Sequence, residues 1–570
     1  MRNNKDNYNT RIIIATVLST FLMISWMKFY GKKTLPQDTK KIQQEVKQEQ
    51  IVEKTEEKIE NEEVAVKEEE PLKRETEIFE EKKLIVDTDK LNGSINLRGL
   101  VFDNLILDDY KKEIDSNEKV QLLSQQNTNN AYYVVFGWKS EDPNLDLPNK
   151  NTLWEADSEK LTVNNPVVLS YKSKDDIIFQ VVVSVDQNYM FTFRQNVINN
   201  SKNVISLKID NRIVKRNTPS AETATSVHEG FIGAFNNTIE EEKYKKLKSK
   251  KFDFDSGFSW AGFTDKYWLV SFATEKEKSN MFNVKTSYND NDYIADFTTS
   301  NMVVNPNQKN KTVNLLFAGP KILNLLDQYS FQYNLSLFDR AVDFGWFYFL
   351  TKPIYIILKT FYNFFGNFGV AILFLTFVVK CVMYPFTKKS YISMAKMKNV
   401  QPKIDALKKK YANDKMRMNK ELIDIYKKEN ISPLSGCLPM LVQIPVFFSL
   451  YKVLVISIDM RQAPFFGYIK NLAAKDPTTI WNLFGLLPYN ITFLHIGLLP
   501  CLMSLTMWIQ QKMTAQGNSN SETQTATKIM PILFLLMFAG MPAGLLIYWT
   551  FSNIITIGQQ WYVEKKLSKK

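Results

Sequence analysis

Hydrophobic and polar positions follow two different patterns along this chain. Between 84 and 335, short runs alternate apolar and polar residues or are dense in β-branched and aromatic residues, as at 177–183. Clusters of Asn, Asp, Gly and Pro separate the runs. A period of two is typical of strands with one buried face. The pattern predicts a large antiparallel β domain over 84–345, most simply a sandwich.

The last third of the chain has longer apolar runs and predicts helices. An aromatic-rich run at 354–365, with Lys352 and Lys359, predicts a helix lying along a membrane interface, within 346–366. Apolar spans follow at 368–384, 438–458, 493–509, 529–540 and 543–557. The first of these is the second span of the chain, within 367–386, and the other four lie within 433–560. The fold class is therefore a polytopic α-helical membrane protein that carries a β-sandwich domain.

The last two spans are short, at roughly 12 and 15 residues against the roughly 20 that cross a typical bilayer. Spans of this length are expected to thin the lipid around them. Met541 and Pro542 separate them and predict a tight turn. The alternative is one long helix kinked at Pro542.

The amino-terminal region predicts an anchor and a tether. The apolar run 12–27 is flanked by basic residues and lacks a small-residue cleavage pattern, so 1–35 predicts a retained anchor span and brings the total to six. The following 36–83 is dominated by Glu, Lys, Gln and Thr and predicts a flexible linker.

Lysine and arginine are concentrated at 388–428 and in the tail at 561–570. By the positive-inside rule both segments are cytoplasmic. Six spans then require both termini to be cytoplasmic and place the β domain on the outer side of the membrane. The charge pattern therefore predicts a single topology.

The basic segment 387–432 predicts two cytoplasmic helices, 388–411 and 415–429, with Asn413 and Asp414 as turn and cap. Pro402 is expected to bend the first helix. Each helix carries an apolar stripe: Met394, Met397, Ile404, Leu407 and Tyr411 on the first, and Met418, Leu422, Ile425 and Tyr426 on the second. The stripes either pack together as a hairpin or present an adaptable surface to changing partners.

The sequence gives little support for enzyme chemistry. Its three cysteines, Cys381, Cys437 and Cys501, lie in or beside apolar runs, which argues against a disulfide framework. His228 and His495 are isolated from other metal-ligating residues. There is no nucleophile elbow and no phosphate-binding glycine loop. We therefore expect no metal, no cofactor and no covalent or nucleotide chemistry.

Lys380 is a charge inside the apolar stretch 377–385 and is the strongest candidate for a functional residue. An ammonium group near hydrocarbon is unfavourable unless it meets water, a partner or headgroups. Thr376 lies one turn away on the same helix face, and Gln443 lies in the next span. Polar groups that face inward from several spans can form a hydrated cavity. The alternative is that Lys380, about five residues from the expected helix end, extends outward to the interface.

Several separate motifs resemble those of the YidC-type membrane protein insertases of bacteria with two membranes. The most specific are 375–380 (Leu-Thr-Phe-Val-Val-Lys), 383–385 (Met-Tyr-Pro), 393–397 and 401–404, 430–445, 461–465 (Arg-Gln-Ala-Pro-Phe), and 542–553, which includes Tyr548, Trp549, Ser552 and Asn553. The match extends from the anchor to the last span and is looser in the β domain, at 241–246 and 343–346.

The resemblance implies a bacterial inner membrane protein that moves nascent membrane proteins into the bilayer. In this family a positively charged groove, open to the cytoplasm and lipid, attracts the polar part of a client. The groove residues would be Lys380, Thr376 and Gln443, and the client's apolar segment would pass Phe447, Tyr548 and Trp549. Many relatives have arginine at the position of Lys380. Lysine keeps the charge but lacks the planar five-donor fork of arginine.

The resemblance also implies partners. Ribosomes and targeting factors would contact the cytoplasmic hairpin and tail, and a Sec translocon and membrane lipids would contact the membrane part. No specific nucleic acid sequence is expected. Two other functions are compatible with an intramembrane charge: a solute or lipid transporter, which predicts inverted repeats, and an anchored assembly scaffold, in which Lys380 and Gln443 are replaceable.

Overall fold

In the computed structural model, the described residues are 82–217, 227–255, 257–274, 281–411, 414–429, 431, 438–485, 487, 496–515 and 521–568. The predicted anchor at 12–27 and nearly all of the predicted linker lie outside the described residues. So do Asn413, Cys437, His495 and the last two lysines of the tail.

The β domain contains 21 strands within the described residues. They are β1 Lys83–Asp87, β2 Leu91–Asn96, β3 Val101–Lys111, β4 Lys119–Leu123, β5 Tyr132–Val135, β6 Trp138–Lys139, β7 Glu155–Ala156, β8 Lys160–Leu161, β9 Val167–Lys172, β10 Ile177–Val185, β11 Met190–Asn199, β12 Ile205–Arg216, β13 Gly230–Phe235, β14 Thr238–Lys243, β15 Phe252–Phe254, β16 Phe258–Thr264, β17 Trp268–Ala273, β18 Phe282–Asn289, β19 Asp292–Thr299, β20 Met302–Val304 and β21 Gln308–Pro320.

Two sheets form the domain, one of 12 strands and one of nine. The first has the order β15-β18-β19-β12-β5-β3-β2-β1-β8, with β4 beside β3 and with β6 and β20 beside β12. The second has the order β14-β13-β16-β17-β21-β11-β10-β9-β7. Aromatic side chains pack between the two facing sheets. The ring centroids of Phe102 and Phe191 are 5.0 Å apart, and those of Phe297 and Phe272 are 4.9 Å apart, with the rings edge to face in both pairs. The predicted sandwich is confirmed.

The predicted antiparallel pairing has one exception. Strand β1 pairs with β8 in parallel, with Ile85 opposite Lys160 and Val86 opposite Leu161. β8 is only two residues long, so two backbone pairs are enough to attach it to the sheet edge. The remaining strand pairs are antiparallel.

The polar and apolar alternation in the sequence corresponds to burial in the sheets. In β10, Ile177–Val185, every second side chain is buried and the others are partly exposed. Successive side chains of a strand point to opposite faces, so this alternation places one face of β10 against the other sheet. The core of the domain is built from such faces, with large aromatic side chains between them.

Nine α-helices lie within the described residues. They are α1 Tyr244–Leu247, α2 Leu323–Gln332, α3 Tyr348–Phe365, α4 Phe368–Lys410, α5 Lys415–Lys428, α6 Leu438–Ile456, α7 Leu498–Ala515, α8 Ser521–Phe538 and α9 Ala543–Ser568. Short 3-10 turns occur at Phe338–Ala341, Gly345–Phe347, Ile458–Met460 and Ile480–Gly485. Helices α1 and α2 lie within the predicted β domain, for which the pattern predicts strands.

The predicted interfacial helix and the next span correspond to α3 and α4. Gly366 ends α3 with a φ of +67°, and the side chain of Asn367 caps α4 by accepting a hydrogen bond from the Val370 N–H at 3.1 Å. Glycine adopts this left-handed conformation without steric cost, so the chain reverses within two residues.

Helix α4 corrects one expectation about Lys380. The predicted span and the first cytoplasmic helix are a single continuous helix of 43 residues, with Pro385 and Pro402 inside it. The predicted helix end just beyond Lys380 is therefore wrong. Proline removes one backbone hydrogen bond, which kinks a helix without ending it where packing holds both sides. Lys380 therefore lies 30 residues before the carboxyl-terminal end of α4 and not beside a helix end.

The rest of the helical region follows the predicted order with different ends. Helix α7 begins at Leu498, five residues after the predicted start, and extends to Ala515. Helices α8 and α9 are separated by a turn at 539–542, so the alternative of one kinked helix is wrong.

The helical hairpin predicted for 387–432 is also present. Asp414 caps α5 by accepting a hydrogen bond from the Arg417 N–H at 3.0 Å. The apolar stripes of α4 and α5 share a small core: Val400, Ile404 and Ile431 are buried, and Met397, Leu422, Ile425 and Tyr426 pack against them. The expectation that the two stripes pack together is confirmed.

One helix within the described residues, α4, is both long and apolar enough to cross a membrane. Two shorter apolar helical stretches occur at Gln443–Ile456 and Ile529–Phe538.

A candidate client site around Lys380

The Lys380 side chain points into the helical region and is held by two neutral side chains. Its ammonium donates hydrogen bonds to Gln443 Oε1 of α6 at 3.1 Å and to Thr556 Oγ1 of α9 at 3.0 Å. The side chain is partly buried. Among the residues that the structure describes, no carboxylate forms an ion pair with it. The charge is therefore hydrogen-bonded without being neutralised.

The two acceptors are fixed by further hydrogen bonds. Gln443 donates its amide N–H to the Tyr548 hydroxyl, and Thr556 donates its hydroxyl to the backbone carbonyl of Ser552 at 2.8 Å. Because an amide and a hydroxyl can each donate and accept at the same time, both present an oxygen to the ammonium. The result is a polar cluster across three helices, which we call the Lys380 cluster: Lys380, Gln443, Tyr548 and Thr556.

Thr376 does not join this cluster. It is fully buried, and its hydroxyl donates to the backbone carbonyl of Ile372 at 2.6 Å. A threonine that bonds the preceding helical turn has used its only donor. The structure thus brings together Lys380 and Gln443 of the three predicted groove residues, and Thr376 lies next to them on α4.

Thr556 is a site residue that the sequence reasoning missed. The sequence contained a pattern that could have indicated it: Ser552, Thr556 and Gln560 recur every four residues along the last helix. In the structure all three are buried. Spacing of this kind places them on one face. Gln559 adds a contact from its amide N–H to the Lys380 backbone carbonyl at 3.4 Å.

The aromatic residues expected to contact a client form a packed group. Phe447 meets Trp549 at 4.8 Å between ring centroids, and both pack against Phe538. Phe447 and Tyr548 are buried, whereas Trp549 is partly exposed. Of the three predicted contact residues, only Trp549 therefore presents part of its ring at the surface.

The carboxyl-terminal end of α6 is attached to the β domain through the segment that follows it. The Arg461 guanidinium donates to the backbone carbonyls of Lys111 and Lys112, at 2.6 and 3.0 Å, at the end of β3. It also lies over the Trp268 ring, 5.6 Å from the centroid. The Gln462 amide donates to the Lys111 carbonyl at 3.3 Å. Both Arg461 hydrogen bonds come from Nη2, so one nitrogen of the guanidinium binds two successive carbonyls.

A second attachment joins the same segment to α3. Asp459 accepts a hydrogen bond from the Tyr355 hydroxyl at 2.6 Å and forms an ion pair with Lys359. Lys352, on the same helix, pairs with Asp327 at 2.9 Å and Asp339 at 3.0 Å. The cations of α3 are therefore paired with carboxylates of the neighbouring segments.

A buried lysine of the β domain, Lys321, directly follows β21. Its side chain is 2% exposed, and its ammonium donates to Thr264 Oγ1 at 2.9 Å. Burial lowers the pKa of Lys321 to about 8, and the nearby carboxylates of Asp265 and Asp343 oppose the shift. Glu229 and Glu241 act in the same direction as these carboxylates.

Two family models match the chain in succession. Residues 83–357 match the YidC periplasmic domain, and residues 360–570 match the 60Kd inner membrane protein family. A membrane protein insertase YidC of Rickettsia bellii is 41% identical over 98% of this chain and 99% of its own length. The chain belongs to the YidC family of membrane protein insertases. The YidC protein of Rickettsia felis is also 41% identical, over 99% of this chain and 100% of its own length.

Membership of the YidC family identifies the two regions. The β domain is the periplasmic domain of the family, and the helical region belongs to an inner membrane protein. A crystal structure of an active YidC insertase, with its first transmembrane domain resolved, is 17% identical, covers 85% of this chain and 93% of its own, and has a TM-score of 0.37.

Proposed function

We propose that the Lys380 cluster is the client-binding site of this insertase. A nascent membrane protein would place its polar flank next to the Lys380 ammonium from the cytoplasmic side, while its apolar segment moves into lipid. The observation that carries this proposal is the pairing of Lys380 with two neutral oxygens and with no described carboxylate. Such an ammonium retains attraction for an incoming carboxylate or carbonyl group.

Hydrophobic transfer supplies the driving force. Burying apolar surface is worth about 25 cal/mol per Å², so a whole spanning helix gains far more than the few kcal/mol that a short polar flank costs. The cluster needs only to lower the barrier for the flank, by offering hydrogen bonds and charge within the membrane. No nucleotide, metal or covalent intermediate enters this mechanism.

The proposed topology has six spans, and the last five form the insertase core. Both termini and the α4–α5 hairpin are cytoplasmic in this arrangement, because the lysines and arginines are concentrated there. The hairpin and tail would receive ribosomes or targeting factors, and α3 with the periplasmic domain would contact a Sec translocon.

Trp549 is the proposed contact for the client's apolar segment. Its ring is partly exposed, whereas Phe447 and Tyr548 lie behind it. We assign Phe447 to the support of the Trp549 ring, which it meets edge to face at 4.8 Å. We assign Tyr548 to the orientation of Gln443, whose amide N–H it accepts.

Site-specific photo-crosslinking during translation tests the proposal. A photoreactive residue at Trp549 should form adducts with the apolar segment of a short nascent membrane protein. The matched control is Ile554 on the same helix, which is 51% exposed and lies outside the aromatic group. A probe at Ile554 should react mainly with lipid.

The yields of nascent-chain adducts at Trp549 and Ile554 are compared to test the proposed client path. If general exposure to the membrane interior governed the reaction, Ile554 would yield at least as many nascent-chain adducts as Trp549. That result, or nascent-chain adducts at neither position, would contradict the proposed client path.

A further inference from the structure

A second cavity lies between α4, α7 and α9, away from the Lys380 cluster. It has a volume of about 300 Å³ and is lined by Lys398, Trp508, Ile509, Lys512, Met513 and Glu564. A water molecule takes about 30 Å³ in the liquid, so the cavity has room for a group of several heavy atoms. Its walls combine two cations, one carboxylate and an apolar side.

The depth of the cavity corresponds to lipid headgroups in the proposed topology. Glu564 follows Thr556 of the Lys380 cluster by eight residues on α9, or about 12 Å of helix rise toward the cytoplasm. Half of a typical hydrocarbon core is about 15 Å thick. In the proposed function clients reach the cluster from the cytoplasmic side, so a cavity about 12 Å farther in that direction lies near the cytoplasmic surface.

An apolar stripe leads from the cavity along α7. Leu502, Leu505 and Ile509 are 40%, 52% and 37% exposed, and they are spaced three and four residues apart on one helix face. Trp508, beside them, is 48% exposed and has the Lys512 ammonium 5.2 Å from its ring centroid. A charged cavity continuous with an apolar stripe suits a molecule with a polar head and an extended hydrocarbon tail.

We propose that this cavity binds a glycerophospholipid with an aminoethyl headgroup, phosphatidylethanolamine. The lysines Lys398 and Lys512 bind the phosphate, Glu564 binds the ammonium of the headgroup, and an acyl chain lies along the stripe of α7. Basic pockets between membrane helices on the cytoplasmic side are common sites for lipid headgroups. The carboxylate matches a zwitterionic headgroup better than an anionic one, because a headgroup without an amine leaves Glu564 beside a phosphate. Gln560 already donates to Glu564 Oε1 at 3.2 Å and orients it.

The test uses the full chain in vesicles of phosphatidylethanolamine and phosphatidylglycerol. Trace amounts of either lipid carry a photoreactive diazirine near the start of one acyl chain, and adducts are mapped by peptide mass spectrometry. We expect adducts within 502–513, several-fold more with the ethanolamine probe than with the glycerol probe. Equal labelling by the two probes would overturn the headgroup assignment.

Substitutions separate the site from general attraction between charges. The pair K398Q and K512Q should lower adducts within 502–513 about tenfold, because each lost charged hydrogen bond weakens binding. The matched control is K389Q with K566Q, which removes the same charge from lysines of α4 and α9 that are likewise exposed but do not line the cavity. The control pair should change the adducts by less than about twofold. Equal effects of the two pairs would overturn the site.

Two further variants serve separate purposes. One controls for misfolding of the glutamine pair, and the other tests the role of the Glu564 carboxylate. The pair K398R and K512R keeps both charges and should keep most of the adducts, which shows that the glutamine pair acts through charge. The variant E564Q should reduce ethanolamine adducts several-fold without reducing glycerol adducts. An unchanged ratio of the two probes in E564Q would contradict the role of Glu564.

This inference rests on the proposed topology, and one measurement distinguishes the two failures. A single cysteine at position 512, in a chain lacking Cys381, Cys437 and Cys501, can be labelled by a membrane-impermeant maleimide in inverted or right-side-out vesicles. Labelling only from the periplasmic side would overturn the topology and with it the site. Cytoplasmic labelling together with absent lipid adducts would overturn the lipid site alone.

Discussion

The periplasmic domain and the helical region differ in how far they expose their large apolar side chains. In the β domain, aromatic residues such as Phe179 and Phe193 are fully buried between the two sheets. In the helical region, about half of the surface of Phe377 and of Leu533 is exposed, at 50% and 55%. Polar side chains are buried in both regions, for example Asn211 in the β domain and Gln560 in α9. The difference teaches that the first region folds against water and the second against lipid.

Lys321 and Lys380 show a related difference in their electrostatic surroundings. Lys321 in the β domain has four carboxylates close enough to affect its pKa. Lys380 has two neutral oxygens and no ion-pair partner among the described residues. A buried charge surrounded by opposite charges serves structure, whereas a buried charge left unneutralised has capacity to bind a ligand.

Matched phenylalanine truncations give the largest expected effect. Phe193→Ala removes a fully buried ring that stacks on Phe136 at 3.8 Å and should cost about 3–5 kcal/mol. Phe386→Ala removes a ring that is 65% exposed and should change stability by less than about 0.5 kcal/mol. Hydrogen exchange of β11 and α4 in the full chain measures both. Similar losses of protection at the two sites would contradict the comparison.

The stability of the β domain should rise with pH between about 8 and 10. The pKa of Lys321 is about 8 in the folded chain and near 10.5 when unfolded, so at pH 9 the unfolded chain binds a proton that the folded chain has released. Raising the pH therefore favours folding, by about 2 kcal/mol over this range. Urea denaturation of the full chain in detergent at several pH values measures the slope.

Lys321→Met is the control for this titration. The variant has no proton to release at this position, so its stability should lack the rise that wild type gains between pH 8 and 10. Tyrosines whose pKa is raised by burial, such as Tyr132, weaken folding only above about pH 10 and affect both chains equally. Parallel pH profiles of the two chains would refute the assignment to Lys321.

Substitutions at Lys380 should change activity more than stability. Lys380→Met should lower insertion of a client with an acidic flank about tenfold, the equivalent of one charged hydrogen bond. Lys380→Arg keeps the charge and should keep most of the activity, and Lys380→Glu should be the least active. Insertion into inverted membrane vesicles, scored by protease protection, measures the series.

A client with an uncharged flank is the control for the Lys380 series, because it should depend little on the sign of the charge. Equal activity of the Arg and Glu variants with the acidic client would refute attraction by charge. It would also remove the functional distinction between Lys380 and Lys321.

The sequence predicted the two regions well because each has a simple period. The alternation in β10 specified which face is buried, and the apolar stripes on α4 and α5 specified their mutual packing. Local pattern could not predict the parallel pairing of β8, because a two-residue strand contains no period. It also could not predict that α4 continues past Pro385, since tertiary packing decides whether a proline ends a helix.

The candidate site was predicted in part for a similar reason. A charge in an apolar run is conspicuous, so Lys380 and Gln443 were identified from the sequence. Thr556 was missed because a threonine is common in membrane helices, and only the fold brings it within 3.0 Å of Lys380. Thr376 was placed correctly on the helix, but its hydroxyl bonds its own backbone.

Helix α6 lies between the Lys380 cluster and the contacts with the β domain. Near its start, Gln443 accepts a hydrogen bond from Lys380. Just past its other end, Arg461 donates a hydrogen bond to the last residue of β3. The helix is 19 residues long, about 28 Å, so it spans the distance from the Lys380 cluster to the segment bonded to the β domain. That segment is held by Arg461 and Gln462 on the β domain and by Asp459 on α3. A displacement of the periplasmic domain that these bonds transmit would therefore act on the glutamine that accepts the Lys380 hydrogen bond.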